Sequence, residues 1–181
     1  LKQKNLSIDL TRGKPHSDQL DLSNNLMTQA VDPIGENGVD LRNYGEPIGI
    51  IEARKLGADI LDSKIDLTIA GEQSSYLLMT QLLLGRFLFG LDDDPWKNDK
   101  EPAFLCAVPG FDRHFATLEG LGLKMHTVNL CSSGIDLDDL NKKLCKYPNI
   151  KGLICVPRHS NPSGEVFSDE NITNLLKITK E

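Results

Sequence analysis

Three short stretches carry residue types that could do chemistry, and each stands between an apolar run and a segment with helical character: Gly71-Glu-Gln-Ser-Ser75, Pro109-Gly-Phe-Asp-Arg-His114 and His159-Ser-Asn-Pro-Ser-Gly164. The first offers two hydroxyls, an amide and, where a helix starts, free backbone N–H groups at the positive end of its dipole. Gln73, Ser74 and Ser75 are therefore candidates to hold a phosphate. The second sets Phe111 where it could stack on a planar ring, a contact worth on the order of 1 kcal/mol beyond burial. The third presents the Asn161 amide as a donor to an anionic oxygen, in a turn restricted by Pro162 and Gly164. Asn161–Pro162 is also a candidate for a cis bond.

Each stretch has a plainer reading on its own: a serine helix cap, a core phenylalanine with a structural histidine at 114, and a turn. Together, at one rim of a sheet, they describe a pocket for a phosphorylated aromatic cofactor, placed where open α/β sheets bind ligands. Residues 71–75 match neither G-x-G-x-x-G nor a P-loop, so a dinucleotide-binding domain lacks its fingerprint.

The elements that must position these groups follow from periodicity. Residues 1–45 are polar and turn-rich and are expected to be an arm with little regular structure. From Pro47 the pattern turns helical through Leu61, and then strands predicted at 66–70, 103–108, 124–130 and 150–156 alternate with helices at 74–90, 112–121, 136–145 and 168–179. That alternation predicts an α/β fold, a three-layer α/β/α arrangement on a mostly parallel sheet. The stretch Asp92-Asp-Asp-Pro-Trp-Lys-Asn-Asp-Lys-Glu-Pro102 reads as a solvated loop, with Trp96 a packing anchor.

Composition excludes several classes. Among 181 residues, 20 Lys+Arg against 26 Asp+Glu give a net charge of −6, and the basic residues are scattered, so no nucleic-acid partner is expected. The four cysteines, Cys106, Cys131, Cys145 and Cys155, form no C-x-x-C pair. They predict reduced thiols, a cytoplasmic location and no metal site. The apolar stretch 76–91 is interrupted by Gln81 and Arg86 and reads as a buried helix, so no membrane span is expected. The chain opens on Leu1 and closes on Glu181 with a helical pattern still running, which predicts a segment of a longer chain.

Taken in order, Thr11-Arg-Gly-Lys-Pro15, Arg42-Asn-Tyr-Gly45, Gly49-Ile-Ile-Glu-Ala-Arg54 and the three rim stretches resemble the pyridoxal phosphate-dependent aminotransferases of fold type I (class I/II). The resemblance is to the bacterial-type aspartate aminotransferase branch with the TRGKP arm, and it runs across nearly the whole chain. It implies that residues 1–45 form a substrate lid and dimer contacts, and that 46–181 are the first part of the pyridoxal phosphate-binding large domain, incomplete as given. By that resemblance Phe111 stacks on the pyridine ring, Asn161 bonds the phenolic oxygen, Gln73, Ser74 and Ser75 hold the phosphate, and His114 supports an aspartate paired with the ring nitrogen. Tyr44 reaches the phosphate of a neighbouring subunit in a homodimer, while Arg12 and Gly13 close over the substrate, an amino acid (aspartate by the branch) exchanging its amino group with a 2-oxo acid.

The sequence also departs from the family. Glu72 sets a carboxylate beside the proposed dianion, which costs energy unless it turns to solvent, and Arg158-His159 stands where the family often has a lysine and an aromatic. None of the lysines fits the cofactor-bonding position, so the 181 residues alone are expected not to transaminate. The competing class is a truncated non-catalytic paralogue, or a regulatory module acting through dimerisation or ligand sensing.

Overall fold

The computed structural model describes residues 13–91 and 93–178. The chain divides into two compact units, Leu1–Gly71 and Glu72–Glu181.

In the second unit four strands form one sheet: β1 (Ala103–Val108), β2 (Lys124–Cys131), β3 (Gly134–Ile135) and β4 (Ile150–Ile154), in the order β3-β2-β1-β4. β1 pairs in parallel with β2 and β4, and β3 turns back antiparallel on β2. Four helices belong to the same unit, α3 (Ser75–Phe89), α4 (Asp112–Gly120), α5 (Leu137–Lys146) and α6 (Asp169–Leu176); α2 (Ile51–Leu61) belongs to the first unit.

β1 is central because alternate side chains serve two cores. Ala103, Leu105 and Ala107 join Val128, Leu140 and Ile150 in a cluster closed by Leu144 of α5 and Leu175 of α6. Phe104 and Cys106 face the other way, onto Trp96, Leu118 and Leu123, with Leu83 and Phe87 of α3 and Phe115 of α4 beside them. A strand buried on both faces needs helices on both, and this one has them. The result is the α/β fold with a mostly parallel sheet that the alternation predicts.

Local chemistry sets the helix ends. Ser74 caps α3, its side chain accepting from Leu77 N, and Gly90 ends the helix with φ 71°. Asp136 accepts from both Asp138 N and Asp139 N at the head of α5, whose last turn carries Lys143 and Lys146, matching the dipole. Trp96 is buried in the 92–102 loop as anticipated, edge-on to Phe104 at 5.6 Å with the Arg86 guanidinium 5.3 Å from its ring.

The stretch 76–91 reads as a buried helix, but no residue of α3 is fully buried and Leu82 and Phe89 are exposed. Two further features depart from the sequence reading. β3 was not anticipated; two residues are too few for a periodic signal. Its outer edge is satisfied by the buried side chain of Asn171, whose Oδ1 accepts from Ile135 N at 3.0 Å and whose Nδ2 donates to Ile135 O at 2.8 Å. An amide side chain here substitutes for a neighbouring strand.

The second departure is a correction: residues 66–70 are not a strand. Ile65–Leu67 form a 3₁₀ turn, and the first unit satisfies the following backbone by other means. Arg54 of α2 donates from Nε to Thr68 O at 2.9 Å and from Nη2 to Ile65 O at 2.8 Å, and Ala70 N donates to Ile48 O at 3.0 Å. Gly49, at φ +90°, is required here, since a Cβ would lie 2.1 Å from Ala70 O. The motif Gly49-Ile-Ile-Glu-Ala-Arg54 therefore has a structural function as a clamp on the segment that follows α2. Elsewhere in this unit lie the short helix α1 (Ser17–Asp21), a 3₁₀ turn at Asn24–Thr28 and an isolated bridge between Ile34 and Asp40.

Candidate functional site

The rim of the second unit is built from three chain segments. At the head of α3, Ser74 Oγ is engaged by Leu77 N at 3.4 Å, so the plain capping role is present. Ser75 and Tyr76, in the first turn, have no carbonyl four residues back, so their N–H groups point out of the helix end. Gln73 and Ser75 are exposed. Glu72 is exposed too, and its Oε1 accepts from Gln81 Nε2 at 3.4 Å on the side of α3, which draws the carboxylate back along the helix. No sheet strand precedes this head, so two rim segments follow strands, not the three that were anticipated.

The second segment leaves the carboxyl end of β1. Val108–Pro109 is cis, Phe111 is the N-cap residue of α4, and His114 lies in the first turn. The rings of Phe111 and His114 meet edge to face with centroids 5.3 Å apart, and the Arg113 guanidinium carbon lies 5.8 Å from the Phe111 ring. Both aromatic residues are half-buried.

The third segment follows β4 and closes on itself. Phe167 N donates to Pro157 O at 2.8 Å, Ser160 N to Glu165 O at 3.0 Å and Gly164 N to Ser160 O at 2.5 Å, with Gly164 at φ +73°. Ser160 is buried at the base of this turn, and Asn161, joined to Pro162 by a cis bond, is exposed at its tip. Three backbone bonds within residues 157–167 restrict the direction in which Asn161 leaves the turn.

These segments meet. Phe111, His114 and Ser160 line one narrow cavity of about 10 Å³ together with Leu130, Cys155 and Phe167. Tyr76, the residue after Ser75, brings its ring to 6.3 Å from that of His114. Burial pushes the Cys155 thiol up, and that of Cys106, inside the sheet, to about 11, so both remain protonated and unreactive near neutral pH.

The other anticipated residues belong to the first unit or lie outside the described residues. Arg12 lies outside them. Gly13 is exposed, and Tyr44 is 97% exposed, its backbone N donating to Asn43 Oδ1 at 2.8 Å. Arg42 beside it grips Asp40 with two bonds of 2.8 and 2.6 Å, which holds that carboxyl below its ordinary range. Sequence reasoning missed Tyr76, Thr117 and Ser160, because a tyrosine, a threonine and a serine in apolar or turn contexts carry no periodic or motif signal.

The fold and this rim define a chain of the pyridoxal phosphate fold type I class, and comparison with known proteins specifies it further. Residues 1–180 match the family model described as aspartate amino-transferase, and the chain belongs to that family. It is 38% identical over 176 residues to an aspartate aminotransferase of Corynebacterium glutamicum, covering 94% of this chain and 40% of that protein. A crystal structure of an aspartate transaminase from the same organism superposes with a TM-score of 0.87 at 36% identity, over 99% of this chain and 43% of that one. The fold likeness extends to an archaeal alanine:glyoxylate aminotransferase, at a TM-score of 0.60 and 20% identity, over 90% of this chain and 38% of that one. The chain thus spans less than half the length of these relatives. Among the described residues no helix is long and apolar enough to cross a membrane.

Proposed function

We propose that this chain supplies the cofactor-gripping part of a pyridoxal phosphate-dependent aminotransferase that moves an amino group between aspartate and a 2-oxo acid, as a cytoplasmic homodimer. The donor set at the rim fits a phosphorylated pyridine ring. The α3 head provides free N–H groups, the Ser75 hydroxyl and the Gln73 amide for a dianion. Phe111 provides an aromatic face and Asn161 a rigidly directed amide for the phenolic oxygen.

In this reading His114, held by ring contacts with Phe111 and Tyr76, orients the carboxylate that pairs with the ring nitrogen. Tyr44 reaches the phosphate of a second copy, and Arg12 and Gly13 belong to an arm, residues 1–45, that closes over the substrate and excludes water. Residues 46–181 form the first part of the large domain. The bound cofactor supplies an electron sink for the substrate's α-carbon. No lysine lines the rim cavities among the described residues, so the group that moves the α-proton is not provided by them, and the 181 residues alone do not turn over.

The observation that carries this reading is the convergence of Phe111, His114 and Ser160, the residue before Asn161, on one cavity, with Tyr76 of the α3 head beside His114. Titration of the full chain with pyridoxal 5′-phosphate, followed by absorption, tests it. Saturable binding is expected, weakened about tenfold in Phe111→Ala; no binding by the wild type overturns it. A second reading is a regulatory module of this fold that binds ligand and dimerises without catalysis. Dimerisation driven by cofactor, with no turnover of aspartate and 2-oxoglutarate even when the remaining part of such an enzyme is supplied, would select it.

A further inference from the structure

The phosphate cradle and the ring stack sit at the heads of two different helices. Ser74 and Ser75 begin α3, and Phe111 and His114 begin α4. A phosphorylated ring is nearly rigid, so both of its ends are met only when the two heads keep a fixed separation, with a tolerance of about 0.5 Å for productive geometry.

One hydrogen-bonded pair ties these helices. Thr117 Oγ1 lies 2.7 Å from Tyr76 Oη and 3.1 Å from Arg113 O. A carbonyl oxygen only accepts, so both contacts are satisfied when Thr117 donates to Arg113 O and Tyr76 donates to Thr117. Among the described residues this is the hydrogen bond between α3 and α4. Thr80, four residues along α3, uses its hydroxyl on its own helix, donating to Tyr76 O at 2.8 Å.

The placement matters as much as the bond. Tyr76 follows Ser75 directly, and Thr117 lies one turn beyond His114 on the same face of α4. The tyrosine therefore spans from the cradle, past the His114 ring, to α4. His114 is enclosed between Tyr76 at 6.3 Å and Phe111 at 5.3 Å, so the same side chain limits the imidazole's tilt and the helix separation.

We infer that Tyr76 and Thr117 are a positioning pair that sets the distance between phosphate cradle and ring stack, and so couples the binding of the cofactor's two ends. This rests on the cofactor reading above and adds residues that touch neither end. The pair acts only on a ligand that engages both heads at once; a phosphate alone or an unphosphorylated ring alone needs no fixed separation.

The test compares dissociation constants of the full, cofactor-free chain for pyridoxal 5′-phosphate, pyridoxal and inorganic phosphate in the wild type, Tyr76→Phe, Thr117→Val and Thr117→Ser. Tyr76→Phe removes a single oxygen and keeps the ring. It and Thr117→Val are expected to weaken pyridoxal 5′-phosphate about three- to tenfold, in line with one net hydrogen bond. Thr117→Ser, which retains the hydroxyl, is expected to recover wild-type affinity, and pyridoxal and phosphate alone are expected to change by less than about twofold. Equal weakening of all three probes, or of none, overturns the coupling while leaving the cofactor reading intact. A wild-type chain that takes up no pyridoxal 5′-phosphate sinks both.

Discussion

Two stretches of similar composition met different fates. Asp66-Leu-Thr-Ile-Ala70 and Ala103-Phe-Leu-Cys-Ala-Val108 are both short, apolar, β-prone and bounded by turn residues. The second became β1, paired on both edges, with Leu105 only 1% exposed. The first became a 3₁₀ turn and an extended segment, with Leu67 76% and Ile69 65% exposed. What separates them is the supply of backbone partners. β1 lies between two strands that exchange N–H and C=O bonds with it, whereas the carbonyls of Ile65 and Thr68 are taken by one guanidinium on α2. A backbone segment accepts whichever complete set of hydrogen-bond partners packing offers.

The difference is open to attack from both sides. Leu105→Ala opens a cavity in the doubly covered core and is expected to cost about 3 kcal/mol of the second unit's stability, read from denaturant midpoints. Arg54→Met keeps much of the aliphatic bulk but strips two carbonyls of a charged donor. It is expected to cost about 2 kcal/mol and to raise amide exchange through residues 65–70 while leaving β1 protected; exchange rising equally in β1 would show that the two stretches depend on the same interactions.

A smaller effect separates them by pH. His126, opposite Leu105 on β2 and stacked on Tyr147 at 3.5 Å, has its pKa lowered from 6.5, first by burial and then by Lys146 and Lys143. The folded state disfavours the proton, so the unfolded state binds it first: stability is intact above pH 6.5 and falls as the pH drops from there through the lower folded-state value. His126→Phe keeps a stacking ring and is expected to flatten that decline in thermal melts, with no change in exchange at 65–70. Smallest of all, Ile69→Thr is expected to shift stability by less than about 0.5 kcal/mol, because its side chain is already in water; a loss near that of Leu105→Ala would mean the segment is buried as a strand after all.

Legibility followed the same division. The helices from 74 to 176, the strands 103–108 and 124–130 and the three rim stretches were readable because periodicity, caps and turn residues are local signals. Phe111 stood out by position, immediately beyond an apolar strand, whereas His114 was singled out only through the family resemblance. Tyr76 and Thr117 were not: they are 41 residues apart in sequence, and only the packing of α3 against α4 brings their hydroxyls within 2.7 Å. Asn171 was hidden for the same reason, since its use as a strand partner depends on α6 lying along β3.

By itself the sequence determined which segments are helical and which residue types stand at the ends of strands, because each depends on neighbours a few positions away. Tertiary structure decided which apolar run joined the sheet, where Glu72 turned and what spans the two helix heads. Those outcomes depend on partners far along the chain competing for the same backbone and hydroxyl groups, and that competition is resolved only when the elements pack.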